Sequence, residues 1–125
     1  MKRIKEQYRG RHLIQKKVCM TQNIGVHGNL FGGDLLRWLD EAAAAFVSEA
    51  TGFLPMVTLK ISEVIFYHPV KVNDIINIDA EIIKIGNSSV TLKMFVVNTH
   101  TQKIVCTTSI VFVHVDENMK PKQIK

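Results

Sequence analysis

The segment from Asn23 to Glu41, NIGVHGNLFGGDLLRWLDE, contains the residues best suited to chemistry. Four glycines, at positions 25, 28, 32 and 33, lie in a loop that leads into a predicted helix. Glycine allows backbone conformations closed to other residues and lets a ligand approach closely. The free N–H groups at the helix start carry the positive end of the helix dipole, which suits a carbonyl oxygen that becomes an oxyanion. We choose the Gly33 N–H as the donor; alternatively, the glycines serve only tight packing.

Asp40 is the candidate catalytic carboxylate. It follows Gly33 by two helical turns and lies at the edge of the apolar helix face. A carboxylate that is partly removed from water is a better base. Most helical aspartates are only solvated, and Glu41, which can pair with Arg37 at i,i+4, fits that role. The position of Asp40 off this polar stripe favours a function for it.

Histidine, cysteine and metal chemistry are less favoured. The five histidines include no pair with metal-ligand spacing, and no Ser or Cys stands in a nucleophile-elbow sequence. We expect surface or packing roles for the histidines, with His27 in the glycine loop as the main exception. Cys19 and Cys106 fall in apolar strand patterns without a CxxC motif, so we expect reduced, buried thiols. We predict no bound metal.

One long helix and several strands must position these residues. The predicted helix runs from Gly33 to Ala50 and is closed by Gly52 and Pro55. Period-two alternation predicts strands at residues 12–20, 56–68, 74–85, 90–96 and 103–115. A change of phase near Glu63 suggests a β-bulge. These parts predict an α+β fold in which a curved antiparallel sheet of about five strands wraps a long central helix.

Length and composition predict one globular domain over residues 1–125. The formal net charge is +5, but ten of the 16 Lys and Arg residues lie in residues 1–17 and 120–125, where Glu6 is the single acid. We therefore predict short basic tails at about 1–10 and 119–125. They are either simply solvated or help to attract an anionic ligand.

The sequence offers little support for export, a membrane span or nucleic-acid binding. The basic N-terminus has no apolar segment of the kind found in signal peptides, and no run approaches 18 apolar residues. No nucleic-acid-binding motif appears. The sequence thus predicts a cytoplasmic protein without membrane or nucleic-acid partners.

The glycine loop and Asp40 resemble the motif of a known family. The pattern Gly, two residues, Phe or His, Gly-Gly, then Asp seven residues later is met by Gly28, Phe31, Gly32, Gly33 and Asp40. It is typical of the YciA-type bacterial acyl-CoA thioesterases and the brain-type cytosolic acyl-CoA hydrolases of the hotdog superfamily. The resemblance extends over roughly residues 13–124. It includes Val57-Thr58, Phe66, Pro69, Asp74, Gly86, Ser88-Ser89, Val115-Asp116 and Pro121.

The resemblance implies a hotdog fold and hydrolysis of acyl-CoA to a free fatty acid and CoA, with no cofactor beyond the CoA thioester substrate. It implies that Asp40 is general base or nucleophile and that the Gly33 N–H polarises the thioester carbonyl. It implies that active sites form between the subunits of a homo-oligomer. This oligomer is expected to be at least a dimer and, more specifically, a trimer of dimers. The expected substrate contacts are Asn29, Phe31 and Gly32 in the loop and Gly86, Asn87, Ser88 and Ser89 in a turn that touches CoA.

Three residues depart from the family pattern. Gly25 stands where the family usually has an Asn that orients water or substrate, so Asn23 or His27 becomes the candidate helper of Asp40. Asn87 stands where an Arg often precedes the paired serines, which removes a phosphate contact. Asn73 replaces a common turn glycine, a change that Asn tolerates because it adopts left-handed geometry.

Two other functions remain open. One is hydration or dehydration of enoyl thioesters, which pairs a His with the helical carboxylate in the enzymes of this fold. The chain lacks their His-Phe-Pro type segment, although His27 is present. The other is a non-catalytic acyl-CoA binding or sensing protein. The retained Asp40 and the absence of a helix-turn-helix segment weaken this alternative, whereas the loss of the family Asn at Gly25 keeps it open.

Overall fold

The computed structural model describes residues 4–124, which form one long helix and five strands. The helix, α1, spans Gly32–Ala50. The strands are β1 (Arg11–Val18), β2 (Met56–Phe66), β3 (Ile75–Ile85), β4 (Ser89–Asn98) and β5 (Ile104–His114). Two short 3-10 turns, Glu6–Tyr8 and Thr21–Asn23, flank β1. The predicted elements are confirmed, and α1 begins one residue earlier than expected.

The five strands form one antiparallel sheet in the order β1-β3-β4-β5-β2. Strands β3, β4 and β5 follow one another along the chain and pair as neighbours, as hairpin-connected strands do. Strand β2 follows α1 directly but pairs with β5, so β1 and β2 occupy the two edges of the sheet. The helix thus crosses the sheet from one edge strand to the other.

Burial of one face of α1 creates the core. The predicted inward residues of the helix, Leu35, Leu39, Ala42 and Phe46, are all buried. They meet the inward faces of β3 and β4, whose predicted residues are also buried: Ile76, Ile78, Ala80, Ile82, Val90, Leu92, Met94 and Val96. Burial of each Val, Leu, Ile, Phe or Met side chain contributes about 1.5–3 kcal/mol to the stability of the fold. The opposite helix face carries the predicted Arg37–Glu41 pair, 3.6 Å apart and largely exposed.

Strand β2 departs from the prediction of one buried face. Two bulges interrupt its pairing with β5, one at Leu59 and one at Glu63, where φ is +52°. The second bulge is the predicted one. Four apolar side chains in and around the bulges, Leu59, Ile61, Ile65 and Phe66, stay exposed, from 38% at Ile61 to 66% at Leu59. As an edge strand with irregular twist, β2 leaves these side chains partly outside the cover of α1.

The ends of the chain pack more closely than solvated tails would. Residues 1–3 and 125, part of the predicted basic tails, lie outside the described residues. Ile4 and Ile124, however, are each only 3% exposed. The Ile124 N–H donates to the Asn87 carbonyl at 2.9 Å, which fixes residue 124 against the β3–β4 turn. Burial of one isoleucine in each tail therefore holds the described part of each tail on the domain.

The two cysteines are free and buried, as predicted. Burial raises the pKa of the Cys106 thiol to about 11. Burial also raises the pKa of Cys19, with smaller contributions from the negative charges of Asp74 and Asp34. Both thiols therefore stay protonated at neutral pH, which makes them poor nucleophiles.

Asn73 adopts the left-handed geometry expected of a residue in place of a turn glycine. Its φ is +74°, and its N–H donates to the Cys19 carbonyl at 2.7 Å. Most residues lose about 1–2 kcal/mol in this conformation, whereas Gly and Asn adopt it readily.

We expect Asn73→Gly to leave the free energy of unfolding within about 0.5 kcal/mol of the wild type, and Asn73→Ala to lower it by about 1 kcal/mol. Urea unfolding at one fixed protein concentration measures both, because oligomers unfold in a concentration-dependent way. An alanine variant as stable as the wild type would contradict this account.

Candidate functional site

Asn23 fixes the start of the glycine loop. Its side chain is buried, its Oδ1 accepts the Met20 N–H at 2.9 Å, and its Nδ2 donates to Asp34 Oδ2 at 3.0 Å. Its carbonyl accepts the Phe31 N–H at 2.7 Å. Asn23 thus ties the loop to the first turn of α1. Its predicted role beside Asp40 stays a prediction.

The loop after Asn23 projects from the domain. An isolated bridge between Ile24 and Leu30 closes it, and Gly28 at its tip has a φ of +78° with free space around it. Val26 is 98% exposed and His27 is also exposed. No hydrogen bond joins the His27 side chain to the rest of residues 4–124. The proposed helper role of His27 therefore remains a prediction.

The start of α1 offers unused donors. The N–H groups of Asp34 and Leu35 both donate to the Phe31 carbonyl, at 3.1 and 3.2 Å. The N–H groups of Gly32 and Gly33 have no acceptor among residues 4–124. Unsatisfied N–H groups at a helix start carry partial positive charge and can bind an anionic or carbonyl oxygen. The Gly33 N–H is therefore free of a partner among residues 4–124, and its role as oxyanion donor stays a prediction.

A cavity of about 400 Å³ adjoins Gly32. Its walls are largely apolar and include Leu35 and Phe66, whose ring would lie 3.6 Å from a Cβ atom at Gly32. Asn29, Tyr67 and His68 contribute the polar groups of the lining. The His68 Nδ1 is 2.8 Å from the Ile104 carbonyl, so this nitrogen carries the proton and donates. The structure thus brings the predicted Asn29 and Gly32 together at an apolar pocket.

Asp40 lies further along the helix, against β2. It is only partly buried, less than the sequence suggests, because it faces the open edge strand. Its Oδ1 accepts the Thr58 hydroxyl at 2.7 Å, while Oδ2 has no hydrogen-bond partner among residues 4–124. Thr58 directly precedes the first bulge of β2. Sequence reasoning did not assign Thr58 a role; its signal was the Val57-Thr58 pair in the family pattern.

The turn predicted to touch CoA is tightly built. The Gly86 N–H donates to the Ser89 carbonyl at 2.8 Å, and a Cβ atom at Gly86 would lie 2.6 Å from Ser89 Oγ. The Ser88 carbonyl accepts the His114 N–H at 2.8 Å. A side chain at position 86 would therefore displace the Ser89 hydroxyl from its present position. Asn87 is exposed and holds Ile124 through its carbonyl.

The predicted site residues fall at two ends of the sheet. Val113 pairs with Val57 on one side and with Ser89 on the other, so the Asp40–Thr58 pair and the CoA turn share one end. The glycine loop lies at the other end, because the Leu30 N–H donates to the Val70 carbonyl just before β3. Strand β3, whose 11 residues span roughly 35 Å, runs from one of these ends to the other, whereas α1 crosses between them and brings Gly33 and Asp40 nearer to each other.

Helix geometry also separates the two chemical groups. Gly33 and Asp40 are seven residues apart on one continuous helix, a rise of about 10 Å. A thioester carbonyl bound to an N–H group lies about 3 Å from its nitrogen. The Asp40 carboxylate therefore cannot reach, within one chain, a carbonyl held by the Gly33 N–H.

Metal and membrane features are absent from the described part of the chain. Among residues 4–124, no cluster of three or more His, Cys, Asp or Glu side chains has the arrangement of a metal site. No helix between residues 4 and 124 is both long and apolar enough to cross a membrane.

Comparisons with known proteins agree on one family. Residues 27–105 match the model of the thioesterase superfamily. A protein of Buchnera aphidicola from Baizongia pistaciae, named an uncharacterized acyl-CoA thioester hydrolase, is 30% identical over 129 residues, covering 97% of this chain and 94% of its own.

Two solved structures are similar to the chain. A hexameric thioesterase from Yersinia pestis superposes with a TM-score of 0.83 at 26% identity, over 91% of this chain and 95% of its own. A hexameric hotdog-fold thioesterase from Campylobacter jejuni gives 0.76 at 26% identity, over 90% of each chain. The fold of this chain is therefore the hotdog fold, as the sequence predicted.

Proposed function

The chain belongs to the thioesterase superfamily, and on that premise we propose that it hydrolyses acyl-CoA thioesters to a free fatty acid and CoA. The observation that carries the proposal is a pair of groups on one helix. The Gly33 N–H has no acceptor among residues 4–124, and the Asp40 carboxylate is held by the Thr58 hydroxyl. These are the donor and the base, or nucleophile, that acyl transfer requires.

The proposed reaction begins with the thioester carbonyl accepting a hydrogen bond from the Gly33 N–H. The helix dipole stabilises the negative charge that develops on this oxygen. Asp40 then either removes a proton from an attacking water or attacks the carbonyl carbon itself to give a transient anhydride, which water hydrolyses. CoA leaves as a thiolate in both routes. Neither route needs a metal or a further cofactor.

The Asp40–Thr58 hydrogen bond gives the carboxylate a fixed orientation. With Oδ1 engaged at 2.7 Å, Oδ2 is the oxygen that faces water or substrate. Thr58 is thus a positioning residue in this proposal. The first β2 bulge directs its hydroxyl toward α1, because an extra residue in one strand changes where the neighbouring side chains point.

Two copies of the chain complete each proposed site. Edge strand β2 exposes a row of apolar side chains, which suits pairing with β2 of a second copy. An antiparallel pair with its two-fold axis near Ser62 would set Thr58 opposite Phe66 of the other copy. Because Phe66 packs on Gly32, Asp40 of one copy would then lie beside Gly33 of the other. This arrangement removes the separation of about 10 Å along one helix.

We further propose that these dimers assemble as a trimer of dimers. The similar thioesterases of Yersinia pestis and Campylobacter jejuni are hexameric, which supports this number of subunits. The CoA turn, Gly86 to Ser89, lies at the same sheet end as Asp40, so it would contact the CoA part of a substrate bound between two copies.

Asp40→Asn should lower kcat by about two to four orders of magnitude, because the amide is neither base nor nucleophile. The dissociation constant for the acyl-CoA should change little, since the variant keeps the size and shape of the side chain. Thiol release measures the first quantity and calorimetry the second.

Near-normal turnover by Asp40→Asn would refute the proposed role of Asp40. Tight binding of acyl-CoA by the wild type without thiol release would instead favour the sensing alternative. Loss of enoyl absorbance without thiol release would favour a hydratase.

Thr58→Val should lower kcat by about 10- to 100-fold with little change in KM, because a carboxylate without its hydrogen bond is no longer held in the reactive orientation. Thr58→Ser keeps the hydroxyl and is the matched control, which should retain most of the wild-type kcat. Equal rates for the valine and serine variants would show that the hydrogen bond has no role in turnover.

Mixed dimers test whether a site needs two copies. Gly33→Pro removes the N–H donor, and Asp40→Asn removes the carboxylate, so each variant alone should be inactive. Refolding them together should restore about one quarter of the wild-type activity, because about a quarter of two-copy sites then contain both intact groups. Circular dichroism and light scattering of each variant check its fold and assembly. No recovery from variants that fold and assemble would place both groups in one chain.

A further inference from the structure

The ring of Phe31 fits between two glycines. A Cβ atom at Gly33 would lie 2.7 Å from Phe31 Cε2, and a Cβ atom at Gly25 would lie 3.2 Å from Phe31 Cδ1. Contacts shorter than about 3.4 Å between carbons are repulsive. The Phe31 ring thus occupies the space that side chains at positions 25 and 33 would need. We call this space the Phe31 slot, formed by Gly25 and Gly33.

The two slot glycines are not required by backbone conformation. Gly28 and Gly52 have positive φ values of +78° and +73° and free space around them, so conformation explains glycine there. Gly25 and Gly33 have no positive φ. Their backbone would accept alanine, and only the Phe31 ring excludes a side chain. The absence of side chains at positions 25 and 33 is therefore what gives this ring its space.

The ring is not a core residue. Phe31 is 57% exposed, so it gains only part of the stabilisation that a buried phenylalanine provides. Its backbone is fixed, since its N–H donates to the Asn23 carbonyl and its carbonyl accepts the N–H groups of Asp34 and Leu35. An exposed apolar ring held on a fixed backbone at a candidate site is suited to contact a ligand.

The ring lies on the side of Gly33 from which a carbonyl must approach. In a helix the Cα–Cβ bond tilts toward the N-terminus, the direction in which the first N–H groups also point. The ring edge lies within roughly 5 Å of the Gly33 nitrogen, given the Cβ contact and standard backbone dimensions. A carbonyl carbon whose oxygen accepts the Gly33 N–H lies about 4 Å from the same nitrogen. Groups attached to that carbon therefore lie close enough to contact the ring.

We propose that Phe31, seated in its slot, is a specificity-determining residue that disfavours acyl groups branched at the carbon next to the thioester carbonyl. This inference rests on the proposed thioesterase function. A straight chain has only hydrogens beside the carbonyl and can leave toward the apolar cavity next to Gly32. A methyl branch at the same carbon projects toward the ring, whose backbone cannot withdraw. One methyl group in a tight pocket changes specificity by about 10- to 200-fold.

The test compares isobutyryl-CoA with butyryl-CoA, which have the same number of carbons and differ in the branch. Phe31→Ala should raise the ratio of kcat/KM for isobutyryl-CoA to that for butyryl-CoA by about ten-fold or more. Phe31→Leu keeps an apolar side chain at this position and should give a smaller increase. Phe53→Ala is the matched control. Phe53 is exposed beyond the far end of α1, and its variant should leave the ratio unchanged.

Gly25→Ala tests the slot itself. Its Cβ would press the ring toward Gly33, so the variant should lower kcat/KM for isobutyryl-CoA more than for butyryl-CoA. In a Phe31→Ala background the same change should have no effect on the ratio, because no ring remains to be moved. Wild-type ratios in both Phe31 variants, or an undiminished effect of Gly25→Ala without the ring, would overturn the proposal.

Binding separates this inference from the proposed function. The dissociation constants of the two thioesters are measured with Asp40→Asn, alone and combined with Phe31→Ala, and their ratio should change in the same direction. If the wild type binds both thioesters but releases no thiol, the proposed hydrolysis is wrong. The ratio of the two dissociation constants then still tests whether Phe31 disfavours branched acyl groups. If it binds neither thioester, both proposals are wrong.

Discussion

Burial of α1 in the concave face of the sheet is the interaction on which the other features depend. A helix turns by about 100° per residue, so fixing Leu35, Leu39 and Phe46 in the core fixes the direction of every other helical side chain. Asp40 is thereby turned toward β2, where Thr58 meets it. The same packing sets the helix start beside Phe66 and leaves its first N–H groups without acceptors among residues 4–124.

A continuous helix imposes a second constraint. It keeps Gly33 and Asp40 about 10 Å apart, a distance that no side-chain movement removes. The exposed apolar side chains of β2 offer a physical solution, because pairing of two edge strands would bury them and would bring the two groups together across the contact. In the proposed dimer, the first bulge of β2 would position Thr58, and a second copy would cover the exposed apolar side chains.

Glycine serves two different purposes in the loop before α1. Gly28 supplies a left-handed backbone conformation, whereas Gly25 and Gly33 supply room for one aromatic ring. The departure from the family pattern at Gly25 therefore does not simply remove a polar group. It also leaves open the space beside the Phe31 ring, where a Cβ atom at position 25 would lie 3.2 Å from Phe31 Cδ1, while the Asn23 side chain donates to Asp34.

The sequence by itself predicted the fold class, because its apolar periodicities define one long helix and several strands, and the family resemblance added the hotdog fold. It also made Asp40 and the glycine loop the candidate site, since their spacing is a property of the chain. Only the tertiary structure decided which residues contact them. Thr58 donates a hydrogen bond to Asp40, Phe66 lies beside Gly32, and the Phe31 ring lies between two glycines. Such contacts depend on strand register, bulges and ring placement, which involve residues distant in sequence and leave no periodic signal.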